Sequence, residues 1–219
     1  MPALLELFAG TQSVSRVARR LGWDCVSLDI CPRHSPDICM SVLDFDEKTY
    51  PRDAFSLIWA SCPCESYSSA RTIAKLDREA AMRFGDELVA KTLRIIAHFH
   101  EAEWCVENPA PSRLWKRPIA SELLKKSYVT SYCSFGYRYR KDTRIACSKP
   151  LSLPMCKGRG ECSAMVGSRH LEHAQKGGGG VNNVYHTLDQ LHTIPPALVE
   201  LILSQLGFPT APQADDVYP

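Results

Sequence analysis

Short apolar segments alternate with polar turns and a helical segment over the first 60 residues, and this alternation most constrains the fold. The segments ALLELF (3–8), WDCVSLDI (23–30) and AFSLIWA (54–60) have the length and apolar content of buried strands. Between the first two, QSVSRVARRLG (12–22) places its apolar residues on one helical face before a glycine. Strands and helices in this order predict an α/β fold with a doubly wound, mostly parallel sheet.

Later segments continue the pattern. They are a weaker third strand (37–45), a long helix (78–100), a strand EWCVEN (103–108), two shorter strands (128–135 and 143–148) and a closing helix (195–207). Residues 150–185 are rich in glycine, cysteine and histidine and show little periodicity. We therefore expect a core over 1–149, a small loop-rich insertion over 150–185, a helical segment over 186–208 that returns to the core, and a flexible tail over 209–219.

Composition narrows the class of protein. The chain has 219 residues, 45% of them hydrophobic, and a net charge of +2. We find neither an apolar run of about 18 residues nor a secretory leader pattern, which predicts an intracellular protein without a membrane span. Its ten cysteines are therefore expected to be reduced, and some of them catalytic or bound to metal. Ten Lys or Arg lie between Arg113 and Lys149 among several tyrosines, which is typical of either a phosphate-binding surface or a solvated one.

Residues that follow the strands are candidates for a ligand site, because ligands of open α/β sheets bind beyond the carboxyl ends of the strands. Gly10 follows the first strand, Asp29 ends the second, and Asp44 follows the third. A glycine turn and two acids in this order favour a ligand that contains adenosine. Taken singly, each is equally compatible with a packing glycine, a helix cap or a solvated turn.

The fourth strand leads into SCPCESYS, in which Pro63 precedes Cys64, and the fifth ends at Glu107. If the two strands are neighbours, Cys64 and Glu107 lie side by side. A thiol and a carboxyl group suit covalent addition to an electron-poor ring, with the acid protonating a ring nitrogen. A metal site at Cys62 and Cys64 is the weaker interpretation, because C-P-C is tighter than the usual C-x-x-C pair.

The motifs LELFAGTQS, SLDI, VLDF, CPCESYS, VENP, YRKDTRIA and IPPALVELI occur in this order across nearly the whole chain. Together they resemble the cytosine-5 DNA methyltransferases, and most of all the short members encoded by phages and large DNA viruses. The resemblance implies the Rossmann-like fold of methyltransferases that depend on S-adenosylmethionine. It also implies methylation of carbon 5 of a cytosine flipped out of DNA, with duplex DNA as the partner.

The resemblance assigns roles to individual positions. Cys64 would attack carbon 6 of cytosine, Glu107 would bond the ring at nitrogen 3 and the exocyclic amine, and Arg144 would meet the base oxygen or hold Glu107. The cofactor would be bound by Phe8, Ala9, Gly10, Thr11, Asp29, Ile30, Asp44, Phe45 and Pro63.

The chain departs from the family pattern at several positions. Gln12 stands where a second glycine is usual, and Glu65 stands where glutamine is usual, so we expect Glu65 to raise the pKa of Cys64. Of the usual Gln-x-Arg-x-Arg pattern, only Arg144 is kept. Two other functions stay open: methylation of tRNA by the same chemistry, and a catalytically weak protein that binds nucleic acid.

The insertion contains four candidate zinc ligands, Cys156, Cys162, His170 and His173, spaced C-x5-C-x7-H-x2-H. Cysteine and histidine are the usual ligands of structural zinc, but this spacing is not that of a standard zinc finger. The sequence is compatible with a zinc site and equally with free cysteines and surface histidines in a flexible loop that faces DNA.

Overall fold

The computed structural model describes residues 1–68, 75–175 and 177–210. The strands are β1 (Ala3–Leu7), β2 (Asp24–Asp29), β3 (Ile38–Cys39), β4 (Leu57–Ser61), β5 (Glu103–Pro109), β6 (Ser127–Ser131), β7 (Tyr139–Arg140), β8 (Asp142–Cys147), β9 (Met165–Val166), β10 (Arg169–His170) and β11 (Glu172–His173). The helices are α1 (Ser13–Arg20), α2 (Lys75–His98), α3 (Ser121–Lys125), α4 (Leu188–His192) and α5 (Pro196–Leu206).

Seven strands form the central sheet in the order β3-β2-β1-β4-β5-β8-β6. The first five in this order pair in parallel, whereas β8 runs antiparallel to both of its neighbours. The carboxyl ends of the parallel strands therefore meet at one edge, and the amino end of β8 joins them there. The predicted doubly wound, mostly parallel sheet is confirmed.

Helices cover both faces of the sheet because alternate residues of each strand point to opposite sides. In β4, Leu57 and Trp59 belong to a buried cluster with α1 and α5, while Ile58 and Ala60 pack with α2 on the other face. A strand that is buried on both faces has a continuous apolar sequence, and this explains why LIWA contains no alternating polar residue.

Most predicted elements are present, with three differences. The third strand is only two residues long, because Val42–Asp44 turns into a 3₁₀ helix. The strand predicted at 128–135 ends at Ser131, where a second 3₁₀ turn, Tyr132–Phe135, begins. The short α3, α4, β7, β9, β10 and β11 were not predicted, since they span only two to five residues each. Most of the predicted tail, from residue 211, lies outside the described residues.

Within the insertion, β9 and β10 form a small antiparallel pair, and β11 pairs in parallel with β7. The insertion is thus attached to the segment just before β8. In the part of the chain that the structure describes, we find no helix of the length and apolar character needed to cross a bilayer.

Candidate active site

The loop that follows β4 carries the predicted nucleophile, Cys64. Cys64 is half-buried and directly precedes a 3₁₀ turn, Glu65–Tyr67. The buried ring of Tyr67 anchors this turn, and its hydroxyl donates a hydrogen bond to Asp86 of α2 at 3.0 Å. The ring lies against Gly85, where an added Cβ would come within 2.7 Å of it. Because Gly85 has no side chain, the Tyr67 ring can pack directly against α2, and this contact holds the loop that carries Cys64.

The surroundings of Cys64 disfavour its thiolate. Burial raises the pKa of the Cys64 thiol, the carboxylates of Glu107 and Glu65 raise it further, and the ammonium of Lys141 opposes them. The predicted effect of Glu65 is confirmed in direction, but burial and Glu107 contribute more. Because the thiolate is the reactive form, Cys64 has to lose its proton within the assembled site.

Cys62, two residues earlier, has a different environment. Its side chain is 4% exposed, packs on the α2 side of the sheet, and lies 3.9 Å from the hydroxyl of Thr92. Burial raises its pKa to about 12. Cys62 is therefore an unreactive core residue, although it differs from Cys64 by only two positions.

Strand pairing brings Glu107 beside the nucleophile loop. Ser61 at the end of β4 pairs with Glu107 of the adjacent parallel strand β5. The side chain of Glu107 is buried and accepts a hydrogen bond from the hydroxyl of Thr143 in β8. Cys64 and Glu107 line one cavity of about 220 Å³. The structure thus places the predicted nucleophile and acid together.

Of the two roles that the resemblance implies for Arg144, holding Glu107 is not observed. In the antiparallel pair of β5 and β8, Arg144 lies opposite Asn108, one residue out of step with Glu107. Its side chain lies 5.6 Å from the ring of Trp115 and donates a hydrogen bond to Ser127 at 2.9 Å. Successive strand residues face opposite sides, so Thr143, and not Arg144, holds Glu107.

Lys141 supplies the cation of the cavity. Its side chain lines the cavity beside Glu107 and Cys64, and its ammonium donates a hydrogen bond to the carbonyl of Leu191 at 2.7 Å. The ammonium also lies 4.6 Å from the ring centroid of Tyr132. Burial lowers the pKa of Lys141, while Glu107 and Cys64 partly counteract this effect. The sequence prediction did not include Lys141.

The turn after β1 forms the other wall of this cavity, which is lined by five of the residues expected to bind the cofactor: Phe8, Ala9, Gly10, Thr11 and Pro63. Asp29 ties this turn to β2. Its two carboxylate oxygens accept hydrogen bonds from the amides of Gly10 at 2.8 Å and Cys31 at 2.7 Å. A carboxylate has about four lone-pair sites, so Asp29 keeps acceptor capacity for a ligand.

A second cavity of about 380 Å³ adjoins the first, and the two share Phe8, Asp29, Pro63 and Glu65. Ile30, another residue expected to bind the cofactor, lines it and is 71% exposed. Ser41 and Val42 line it where Asp44 and Phe45 were expected. Asp44 is exposed, and Phe45 is buried against Tyr50, with ring centroids 5.8 Å apart. Because β3 ends at Cys39, the residues that line the cavity lie nearer to the strand in sequence than Asp44 and Phe45 do.

Gln12 has a left-handed backbone conformation, with φ 56°. Glycine adopts this conformation without strain, which explains why glycine is usual at this position in the family. Its amide nitrogen donates hydrogen bonds to the carbonyls of His34 at 2.6 Å and Ser35 at 3.1 Å. Its oxygen accepts hydrogen bonds from Arg19 and Ser27. The side chain is thereby held in a network with α1, β2 and the turn after β2, and these bonds offset the strain.

Glu6 is a second cavity residue that the sequence prediction missed. It is 2% exposed, and its carboxylate accepts hydrogen bonds from the amides of Val14 and Ser15 at the start of α1. Burial raises its pKa to about 7. The signal for this residue was a lone acid inside an otherwise apolar strand, ALLEL.

The basic stretch from Arg113 to Lys149 has fewer cations available to bind phosphate than its composition indicates. Five of its cations form ion pairs within the protein: Arg117, Lys125, Arg138, Arg140 and Lys149. Of the interleaved aromatic residues, Tyr132 and Tyr139 are buried, and Tyr137 packs edge-on between them. These rings therefore belong to the core.

Three of the four predicted zinc ligands come together in the insertion: Cys156, Cys162 and His170. The fourth member of the cluster is Cys133, from the 3₁₀ turn after β6, where His173 was expected. His173 lies in β11, three residues beyond His170, and its side chain is exposed.

Comparison with known proteins identifies the family. No family model matches the chain. A protein of Frog virus 3 (isolate Goorha), named "Probable DNA (cytosine-5)-methyltransferase", is 30% identical over an alignment of 219 residues that covers 91% of this chain and 98% of the viral protein. This chain belongs to the DNA (cytosine-5)-methyltransferase family. The resemblance to members from large DNA viruses is confirmed.

Solved structures of methyltransferases have a similar fold. The Entamoeba histolytica methyltransferase EhMeth superposes with a TM-score of 0.52 at 14% identity, over 72% of this chain and 57% of that one. The S. pombe Dnmt2 methyltransferase gives a TM-score of 0.48 at 14% identity, over 74% of this chain and 57% of that one. This member of the cytosine-5 methyltransferase family thus spans little more than half the length of EhMeth.

Proposed function

We propose that this chain transfers a methyl group from S-adenosylmethionine to carbon 5 of cytosine in DNA. The observation that carries the proposal is the arrangement of Cys64 and Glu107. A half-buried thiol and a buried carboxyl group, from neighbouring strands, open into one cavity that adjoins a second, larger one. The name of the Frog virus 3 relative supports the same substrate.

The second cavity suits the adenosine part of the cofactor. Asp29 offers a partly exposed carboxylate for ribose hydroxyls at the carboxyl end of β2, and Ile30 and Phe84 offer exposed apolar side chains on which a base can stack. When bound, the cofactor supplies a methyl group with the reactivity of a methyl cation. Pro63 lines both cavities and would close the site beside the methyl donor.

Cys64 would act as the nucleophile. The thiol loses its proton and its sulfur forms a bond to carbon 6, while the electron pair of the carbon 5–carbon 6 double bond moves into the ring and makes carbon 5 nucleophilic. Once carbon 5 has taken the methyl group, with the demethylated cofactor as the leaving group, a base removes the proton from carbon 5. The double bond then re-forms, and the bond from sulfur to carbon 6 breaks to release Cys64.

Glu107 and Lys141 would stabilise the charge that develops in the ring. Glu107, oriented by Thr143, would hydrogen-bond the ring at nitrogen 3 and the exocyclic amine. Lys141 takes over the role that the resemblance assigned to Arg144, because its ammonium is the cation that faces Cys64 and Glu107. A fixed cation in a site with little water lowers the energy of a developing negative charge.

Duplex DNA hides carbon 6 within the base stack, so the target cytosine has to be flipped out at a cost of roughly a few kcal/mol. Contacts to phosphates supply binding energy for this step. Arg113 and Lys116, in the 3₁₀ turn after β5, are two cations of the basic stretch that lie close in sequence to Glu107. We expect them to contact the DNA backbone.

The test is transfer of labelled methyl from S-adenosylmethionine to duplex DNA, single-stranded DNA and tRNA in parallel, followed by digestion to nucleosides. We expect 5-methylcytosine in duplex DNA, and a loss of at least about 10³-fold for Cys64→Ala. Cys62→Ala is the matched control, since it removes a thiol two residues away that faces the core, and it should keep most of the activity.

The possible outcomes distinguish the three candidate functions. Full activity in Cys64→Ala would overturn the proposed nucleophile. Labelling of tRNA alone would assign the same chemistry to RNA. If the protein binds DNA and cofactor but labels no substrate, the chain is a binding protein on a methyltransferase fold, and Glu65 and Gln12 are the first positions to change to the family residues.

A further inference from the structure

The side chains of Cys133, Cys156, Cys162 and His170 form a compact cluster remote in sequence from the proposed nucleophile. One ligand atom from each of the four residues lies within 4.8 Å of the others. The sulfur atoms of Cys156 and Cys162 lie 3.5 Å and 3.7 Å from Nε2 of His170. All three cysteines are free thiols.

These distances match the separations between ligand atoms, the edges of the tetrahedron, in a tetrahedral zinc site. With zinc bonds of about 2.3 Å to sulfur and about 2.0 Å to nitrogen, a tetrahedron has sulfur–nitrogen edges of about 3.5 Å. The two observed separations lie within about 0.2 Å of this value. We propose that Cys133, Cys156, Cys162 and His170 bind one structural Zn²⁺ ion.

Hydrogen bonding among the four side chains does not explain their convergence equally well. Nε2 of a neutral imidazole has either one proton or one lone pair, and yet two sulfur atoms approach that nitrogen of His170 at similar distances. One cation at the centre satisfies both contacts and also the thiol of Cys133. Three thiolates and an imidazole favour zinc over the harder Mg²⁺ and Ca²⁺, which prefer oxygen ligands.

The charge near the cluster is consistent with a bound metal. Three thiolates, a neutral imidazole and Zn²⁺ together carry one net negative charge. Arg140 lies close enough to Cys156 and Cys133 to interact with both electrostatically. Its guanidinium also pairs with Asp142 at 2.6 Å, which fixes the guanidinium beside the site.

The ligands come from two parts of the fold, which gives the metal a structural role. Cys133 is 6% exposed and belongs to the core, directly after β6. The other three ligands belong to the insertion, whose strands are only two residues long. A segment with so little regular structure gains most of its order from a metal link. Zinc would therefore fasten the insertion to the catalytic core.

This link has a consequence for the first cavity. The insertion strand β11 pairs with β7, and β7 ends at Arg140, the residue before Lys141. Loss of the metal would loosen this pairing. We expect the orientation of Lys141 to depend on the zinc site, although none of the four ligands lines the cavity with Cys64.

The metal content of the purified protein tests the proposal. We expect one zinc per chain in the wild type, and loss of bound zinc in Cys133→Ser and in His170→Ala. His173→Ala is the matched control. His173 belongs to the sequence pattern but lies outside the cluster, so this variant should keep its zinc. Retention of zinc in Cys133→Ser, or its loss in His173→Ala, would overturn the ligand set.

A measurement on the wild type avoids variants that fail to fold. Cys133, Cys156 and Cys162 should resist alkylation until a chelator is added, while the exposed Cys31 and Cys39 should react at the same rate with and without it. Equal labelling of the three cysteines in both conditions, or a protein without stoichiometric zinc, would overturn the proposal. Cys64→Ala should keep its zinc, which separates this result from the test of methyl transfer.

Discussion

At the scale of single residues, the alternation of side chains along β8 decides which cation serves the proposed reaction. Thr143 faces Glu107, and Arg144, the next residue, faces Ser127 and Trp115. A shift of one residue along a strand moves a side chain to the other face of the sheet. The family motif could be aligned on Arg144 by residue type, but the structure presents Lys141 to the cavity.

We predict that Lys141→Gln lowers the rate of methyl transfer by about 10²-fold, the usual cost of removing one group that stabilises a developing charge. The rise of the rate with pH should also move to higher pH, because the ammonium lowers the pKa of Cys64. Rate measurements across pH with duplex DNA check both effects.

Arg144→Gln is the comparison for this prediction. This variant should have lower thermal stability, since it loses the hydrogen bond from Arg144 to Ser127 and the contact of Arg144 with Trp115. The shape of its pH profile for methyl transfer should be unchanged. A larger shift of the profile in Arg144→Gln than in Lys141→Gln would contradict the assignment of Lys141.

At the scale of elements, α2 positions the nucleophile loop through the contact of Gly85 with Tyr67. Glycine within a helix costs about 1 kcal/mol relative to alanine. The space that it leaves is filled by the Tyr67 ring, and the hydroxyl of this ring bonds Asp86. Arg117 binds the same carboxylate at 2.6 Å. The contact thus connects α2, the nucleophile loop and the segment after β5.

We predict that Gly85→Ala lowers activity even though alanine favours the helix. Its Cβ would lie 2.7 Å from the Tyr67 ring, so the ring and the attached loop have to shift, and Cys64 shifts with them. Tyr67→Phe is the control, because it keeps the ring and removes only the hydrogen bond to Asp86. Wild-type rates of methyl transfer and of Cys64 alkylation in Gly85→Ala would contradict this account.

At the scale of the whole molecule, the carboxyl edge of the sheet contains a buried ionisable group, Glu6. Glu6 is fully buried under the first turn of α1, and its pKa is raised from 4.5 to about 7. Below pH 4.5 Glu6 is protonated in both the folded and the unfolded states. Between pH 4.5 and 7 the unfolded chain loses this proton while the folded protein keeps it, so the contribution of Glu6 to stability falls as pH rises.

We predict that this group lowers the free energy of unfolding by roughly 3 kcal/mol between pH 4.5 and 7, at about 1.4 kcal/mol per pKa unit. Glu6→Gln cannot ionise and should lack this fall. Urea denaturation of both proteins at several pH values checks the difference between them. Identical pH dependence in the two proteins would show that Glu6 is already ionised in the folded state.

Much of the fold and part of the site follow from local sequence. Apolar segments of strand length define β1, β2, β4 and β5, and a parallel sheet brings the residues after them to one edge. Cys64, Glu107, Gly10 and Asp29 were predicted for this reason, since each lies at or just after such a strand. The short β3 lacked a clear apolar segment, and the predicted Asp44 and Phe45 therefore differ from the observed Ser41 and Val42.

The sequence by itself determined the α/β class, the family and the pairing of a thiol with a carboxyl group, because these depend on patterns that are local along the chain. Only the tertiary structure decided that Lys141 faces the cavity, that Gly85 receives Tyr67, and that Cys133 replaces His173 in the metal cluster. These contacts depend on strand direction, on register and on the packing of segments distant in sequence. A periodicity within one segment contains no information about which residue of another segment it will meet.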